Sequence, residues 1–233
     1  LACTKYIFYF VFSQIILFTM SAKTTAYKFI LGSSSKWRKE IFAEKIIGSN
    51  DFDQLSPDID EKAIRDPDAS KLCVMIAQGK ADALVSTLKK EKCSPSIVVT
   101  CDELIVHKGV IREKPETKQE CREFLKSYAH APAEAYCGVV VHNTKTGERF
   151  SGFDKAVQHF KEIPDDKIEQ LIEQGDVLSC CGGFVLELLT DYLDKLEGEK
   201  ECVIGMPVQL TKKLIDKATA VQEGPNGARP TGN

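Results

Sequence analysis

The chain has 233 residues, 43% of them apolar and 28% charged, with a formal net charge of −3. That length accommodates one large domain or two small ones and buries a core without disulfide or metal staples. The absence of a basic excess excludes a protein built to neutralise a nucleic-acid backbone, while leaving room for a pocket that binds one phosphorylated small molecule.

The first feature along the chain is an apolar run, Tyr6 to Met20, that follows Lys5 and resembles a signal-peptide core or short anchor. No small-x-small cleavage motif closes it, and the polar stretch SAKTTAYK comes next. The expectation is that Met20 starts the protein and that residues 1–23 are an upstream extension or a signal- or anchor-like segment. The nine cysteines are scattered, with no C-x-x-C pair. That usage fits free thiols in a reducing compartment, hence a cytoplasmic protein with no stable membrane association.

Lys28 to Leu31 reads as a short strand, Gly32-Ser33-Ser34-Ser35 as a turn, and Trp37 to Ile47 as a Ser-capped helix. Ser56-Pro57-Asp58 is a loop leading to Asp60-Glu61. Asp68 to Leu88 has helical spacing, with Leu72, Met75, Ile76, Gly79, Ala83, Leu84 and Leu88 near one face. Ser96 to Cys101 is a buried strand run expected to end at Asp102-Glu103. Leu104–Lys108 and Val110–Arg112 flank Gly109 like a hairpin. A helix over Lys118–Ser127, a strand over Glu134–Asn143, a turn at Lys145–Glu148 and a partner strand over Phe150–Phe160 follow. Pro164 opens a helix to Glu173. Gly182-Gly183 is a bend, Val203 to Pro207 a short strand and turn, and Gln209 to Ala218 a closing helix. The Gly/Pro-rich stretch 221–233 is expected to be a disordered tail, which leaves 24–220 as the folded domain. Interleaved strands and helices indicate an α/β fold with a mixed sheet.

Four groups of residues carry candidate chemistry. The turn Gly32–Arg38 offers helix-start N–H groups, Ser hydroxyls and the charges of Lys36 and Arg38 to an anion. A plain N-cap explains the same residues. Asp102-Glu103 after an apolar strand suits a ligand at strand ends or a divalent cation, where the alternative is a solvated loop acid. Asp58, Asp60 and Glu61 form a third acidic group, and Lys80 and Lys114 are isolated cations that could equally be solvated. The four histidines lack ligand spacing.

The order of these pieces is more specific than any one of them. FILGSSSKWRKEIF (29–42), SPDIDE (56–61), AQGKA (77–81), VVTCDELIV (98–106), EKP (113–115), CGGF (181–184) and VIGMPV (203–208) together resemble the Maf family of nucleotide pyrophosphatases over residues 27–218. The resemblance implies an elongated mixed sheet flanked by helices, with two lobes around a deep cleft. It implies hydrolysis of a nucleoside triphosphate between its α and β phosphates, assisted by Mg or Mn. It places the general base on Asp102, the cation ligands on Glu61 and Asp102, and phosphate contacts on Ser33, Ser35, Arg38, Lys80 and Lys114.

Within the family, Trp37 and Glu187 resemble the branch that acts on 7-methyl-GTP. A Trp face attracts a cationic base, a carboxylate accepts from the guanine N–H groups, and Glu103 adds negative potential. Lys36, Cys101 and Ser179-Cys180-Cys181 depart from the residues usual at those places, which bears on the base pocket rather than the phosphate end. The alternatives are a dTTP/UTP pyrophosphatase of the same fold and a non-catalytic nucleotide-binding module linked to cell division. The expected partner is a nucleoside triphosphate, with no nucleic-acid polymer, and a homodimer is compatible with the chain.

Overall fold

A computed structural model describes residues 27–220. The expectations for residues 1–23 and 221–233 lie outside the described residues. No helix among those described is long and apolar enough to cross a membrane.

Seven strands form one mixed sheet: β1 (Lys28–Gly32), β2 (Phe52–Leu55), β3 (Ser96–His107), β4 (Val110–Arg112), β5 (Ala133–Asn143), β6 (Arg149–Phe160) and β7 (Leu193–Glu197). Their order is β2-β1-β3-β5-β6-β7, with β4 added to β3. β3 is the axis of the fold. It is buried over almost its whole length because helices cover both faces. β5 pairs antiparallel along one edge, from Ile97 to Val106. β1 and β4 must therefore share the other edge. β1 runs parallel and stops at the pair Gly32–Thr100. β4 runs antiparallel and begins its pairing at Ile105–Arg112. Cys101 to Leu104 are thus left with an open edge in the middle of a covered strand.

The strand pattern sorts the side chains of β3 by face, since alternate residues point in opposite directions. Val98 packs with Leu84, Val85 and Leu88, and Leu104 with Leu72, Cys73 and Ile76, all on helix α2 (Ala69–Lys90). Ile97, Val99, Cys101 and Ile105 join the larger core on the opposite face. That face is covered by α1 (Lys36–Ile41), α3 (Lys118–Ser127), α4 (Asp165–Gln174), the short α5 (Lys200–Val203) and α6 (Val208–Ala220). Each fully buried Leu, Ile or Val contributes roughly 1.5–3 kcal/mol by leaving water.

α2 starts where Asp68 caps the Ser70 N–H at 2.9 Å. It lies tight against the sheet at Gly138, where a Cβ would come within 2.4 Å of the Cys73 carbonyl carbon. Its inward face is not quite the expected one, because Met75 is 38% exposed and Cys73, Ala77 and Ala81 take the buried positions instead. α1 passes into a π-helix over Phe42–Ile47, so the expected helix is present with a wider second turn.

Two local readings change, and two strands are added. The expected strand end at Cys101 is not an end: the ladder with β5 continues through Asp102 and Glu103 to Val106. Val203 to Pro207 holds the end of α5 and a turn rather than a strand, since Lys200–Val203 is helical and the Ile204 N–H bonds back to the Lys200 carbonyl. β2 and β7 had no sequence signal, because FDQL and LDKLE are short, polar and held by their neighbours. The hairpin at Gly109 is as read, with positive φ at both Lys108 and Gly109.

Candidate active site

The open edge of β3 is the floor of a cleft of about 440 Å³. One wall comes from the β1–α1 turn, Gly32 to Arg38. The other comes from one-turn helices over Asp176–Ser179 and Cys181–Gly183, with Val185 beyond them. Ser56, Pro57, Glu61, Lys80, Lys114 and Ile204 complete the lining.

Asp102 and Glu103 are consecutive on a strand, so they leave it toward opposite faces. Asp102 faces α2, where Lys80 Nζ stands 2.6 Å from its Oδ1. The same Nζ reaches Glu61 Oε1 at 2.9 Å, so one ammonium joins two carboxylates. Burial pushes the Asp102 carboxyl above the usual carboxylate range, against the pull of Lys80 and Arg38. Burial also opposes the Lys80 charge, yet Asp102 and Glu61 hold its pKa above the usual lysine value. Glu61 is half-buried; burial works against its charge, and Lys80, Lys114 and Arg38 still hold its carboxyl below the ordinary range.

Glu103 faces α1. Its Oε2 lies 3.8 Å from the Arg38 guanidinium, which also donates to the Cys101 carbonyl at 3.2 Å and so satisfies the open strand edge. Burial pushes the Glu103 carboxyl up to about 8 despite that neighbour. Gly205, at φ +98°, closes over the pair; a Cβ there would sit 2.6 Å from Glu103 Oε2 and 2.8 Å from the Arg38 guanidinium. Neither a side chain nor an ordinary backbone conformation fits that position.

The serine turn is ordered by its own bonds. Ser33 Oγ accepts from the Ser35 N–H, and Ser35 Oγ, the N-cap of α1, accepts from the Arg38 N–H. Both hydroxyl hydrogens remain available to a ligand oxygen. Gln54 on β2 donates from its Nε2 to the Ser33 carbonyl at 2.7 Å and reaches the Ser35 carbonyl at 3.4 Å. Trp37 lines the cleft and also packs against the core, with Lys36 Nζ 4.5 Å from its ring centroid.

Of the residues singled out in the sequence, Ser33, Ser35, Trp37, Arg38, Glu61, Lys80, Asp102, Glu103 and Lys114 all line this one cleft. Glu187 does not. It sits in a one-turn helix over Leu186–Leu188 and pairs with Lys200 at 3.3 Å, outside the cleft lining. Among the described residues, no group of three or more His, Cys, Asp or Glu side chains is gathered for a metal ion. Gln54, Asp176, Val185 and Ile204 were missed, while Ser179, flagged beside Cys180-Cys181, does line the cleft. The glycine bend at Gly182-Gly183 marked the second wall, but nothing in the sequence marks Gln54.

The Maf-like protein family model matches residues 28–218. A 7-methyl-GTP pyrophosphatase of Dictyostelium discoideum is 48% identical over 198 residues, covering 84% of this chain and 99% of the relative. A 7-methyl-GTP pyrophosphatase of Vibrio vulnificus (strain CMCP6) is 28% identical, over 78% of this chain and 90% of the relative. A dTTP/UTP pyrophosphatase of Clostridium tetani (strain Massachusetts / E88) is 25% identical, over 77% and 92%. With a match across the whole sheet and both walls of the cleft, the chain belongs to the Maf-like protein family.

Proposed function

We propose that this protein is a nucleoside triphosphate pyrophosphatase that converts 7-methyl-GTP to the monophosphate and pyrophosphate. The observation that carries the reading is the buried Asp102, on the floor of the cleft that the serine turn walls, paired with Lys80 and under the charge of Arg38. The relative at 48% identity is named for that substrate.

Triphosphate cleavage asks a protein mainly for positioning and charge neutralisation. Ser33 and Ser35 would donate to phosphate oxygens, and Arg38, Lys80 and Lys114 would neutralise them. Asp102, its carboxyl raised by burial, suits a base that takes the proton from the attacking water. The water oxygen bonds to the α-phosphorus, the bond to the bridging oxygen breaks, and its electron pair leaves with pyrophosphate. Glu61 and Asp102 would hold a Mg or Mn ion through one or two carboxylates plus substrate oxygens, with the Lys80 ammonium that joins them turning to the phosphates. When bound, that ion supplies further charge neutralisation at the phosphates.

At the base end, Trp37 would stack on the cationic ring, while burial, which pushes the Glu103 carboxyl up to about 8, removes most of the negative potential expected of it near neutral pH. Glu187, tied to Lys200, would act on the base only by leaving that partner. All eight described cysteines are free thiols, which supports a cytoplasmic location. A homodimer completes the proposal, to be measured by sedimentation.

The test is pyrophosphate release by the purified protein from 7-methyl-GTP, GTP, UTP, dTTP and CTP. The expected result is the highest kcat/KM with 7-methyl-GTP. Higher values with UTP and dTTP would support the second reading, favoured by the Clostridium tetani relative. No release from any triphosphate would overturn the enzymatic reading.

A further inference from the structure

The serine turn is held from behind by a residue that no motif contains. Gln54 lies on β2 opposite Leu31 in the parallel ladder with β1, so its side chain stands beside the turn that β1 feeds. Its amide nitrogen takes the Ser33 carbonyl at 2.7 Å and reaches the Ser35 carbonyl at 3.4 Å.

In a trans peptide the carbonyl of one residue and the N–H of the next point in opposite directions. Fixing the Ser33 carbonyl on Gln54 turns the Ser34 N–H the other way, and fixing the Ser35 carbonyl does the same to the Lys36 N–H. Ser34 and Lys36 both line the cleft. The helix geometry of α1 secures only the second of these peptides, through the Lys39 N–H to Ser35 carbonyl bond at 3.1 Å. Among the described residues, Gln54 is the side chain that secures the first.

We propose that Gln54 is a positioning residue for phosphate: by holding the carbonyls of the serine turn outward it aims the turn's N–H groups at the phosphate chain of the nucleotide. This rests on reading the turn as the phosphate seat. Because the contact is with phosphate and not the base, its loss weakens every triphosphate alike. Gln54 touches no substrate atom and acts through the backbone of Ser33–Lys36.

The experiment measures calorimetric binding of inorganic tripolyphosphate, and KM for 7-methyl-GTP and UTP, in wild type, Gln54→Met and Gln54→Glu. Met keeps the volume and removes the donor; Glu also sets a carboxylate against two carbonyls. The expected result for Gln54→Met is a Kd and both KM values raised together by about five- to tenfold, the worth of one hydrogen bond. Gln54→Glu is expected to lose more. A melting midpoint close to wild type is expected alongside, since β2 keeps its backbone pairing. Wild-type Kd in Gln54→Met, or a lowered melting midpoint with unchanged Kd, would overturn the inference and leave the proposed function standing. A wild-type protein that binds no tripolyphosphate would overturn the reading of the turn as a phosphate seat and this inference with it, while pyrophosphate release from 7-methyl-GTP tests the proposed function separately.

Discussion

Lys80 and Asp102 face each other at 2.6 Å, with only 8% and 7% of their side chains exposed. Asp102 would be stranded without Lys80, whereas Lys80 would keep Glu61, and a buried charge whose partner is removed costs about 3–5 kcal/mol. Lys80→Met is therefore expected to destabilise the protein by about that amount in urea titrations. The double variant Lys80→Met/Asp102→Leu is expected to lose less than the sum of the two single changes. Asp102→Asn is expected to reduce pyrophosphate release by about 10²–10⁴-fold, the usual worth of a general base. Strict additivity in the double variant would show that the two charges do not depend on each other.

Gly138 is the partner of Asp102 across the β3–β5 ladder, and the Cys73 backbone rests directly on it. Gly138→Ala would push α2 off the sheet and carry Lys80 with it. A loss of roughly 1–3 kcal/mol is expected from this overpacking. The distinguishing measurement is activity under conditions where the variant remains folded: it should fall there too, whereas full activity would mean that α2 moves without disturbing Lys80.

The dependence of stability on pH has a sign that can be worked out at His107. Its ring is buried edge-on against Tyr128 with Nδ1 3.2 Å from the Pro132 carbonyl oxygen. Burial, with Arg112 and Lys108 nearby, holds its pKa below the usual histidine value. The unfolded chain takes up a proton near pH 6.5 while the folded chain resists it, so the contribution of this group to stability falls as pH drops below about 6.5. His142 is shifted the same way by burial and by Arg149. Glu103, its carboxyl raised to about 8, acts with the opposite sign over the same range, so the His107 contribution is read as a difference: as pH falls from about 7.5 to about 5.5, the melting midpoint of His107→Phe is expected to rise relative to that of the wild type. An unchanged slope in the variant would place the effect elsewhere.

Trp37 serves the core and the cleft together, so its removal has two expected consequences. Trp37→Ala is expected to lower the melting midpoint and to reduce the kcat/KM ratio of 7-methyl-GTP over GTP by about 2- to 30-fold, the range spanned by a cation–π contact. Equal losses on the two nucleotides would leave Trp37 a packing residue only.

The sequence carried the site well where residues were grouped and poorly where the fold did the grouping. SSSKWR and VVTCDELIV are each local, and the structure brings them to one cleft. The alternation of Asp102 and Glu103 onto opposite faces was implicit in a strand, but the open edge that exposes both is a property of β1 ending and β4 starting. β2 and β7 escaped notice because their polar residues follow no buried pattern, and Gln54 went with β2. Glu187 was singled out by its resemblance to the 7-methyl-GTP branch, and a one-turn helix gives that stretch a direction that resemblance does not encode.

Because β3 runs unbroken along the floor of the cleft, the length of its open edge is counted in residues of a single strand. From Thr100, the last partner of β1, to Ile105, the first partner of β4, is five steps of about 3.3 Å, or roughly 16 Å. Span and chemistry are consequently locked together. Removing one residue between those points would shorten the opening by one step and also swap the faces beyond it, turning an acid that meets α2 into one that meets α1. Only changes by pairs could resize the groove without inverting it, so diversification of such proteins is steered toward the loops at the rim.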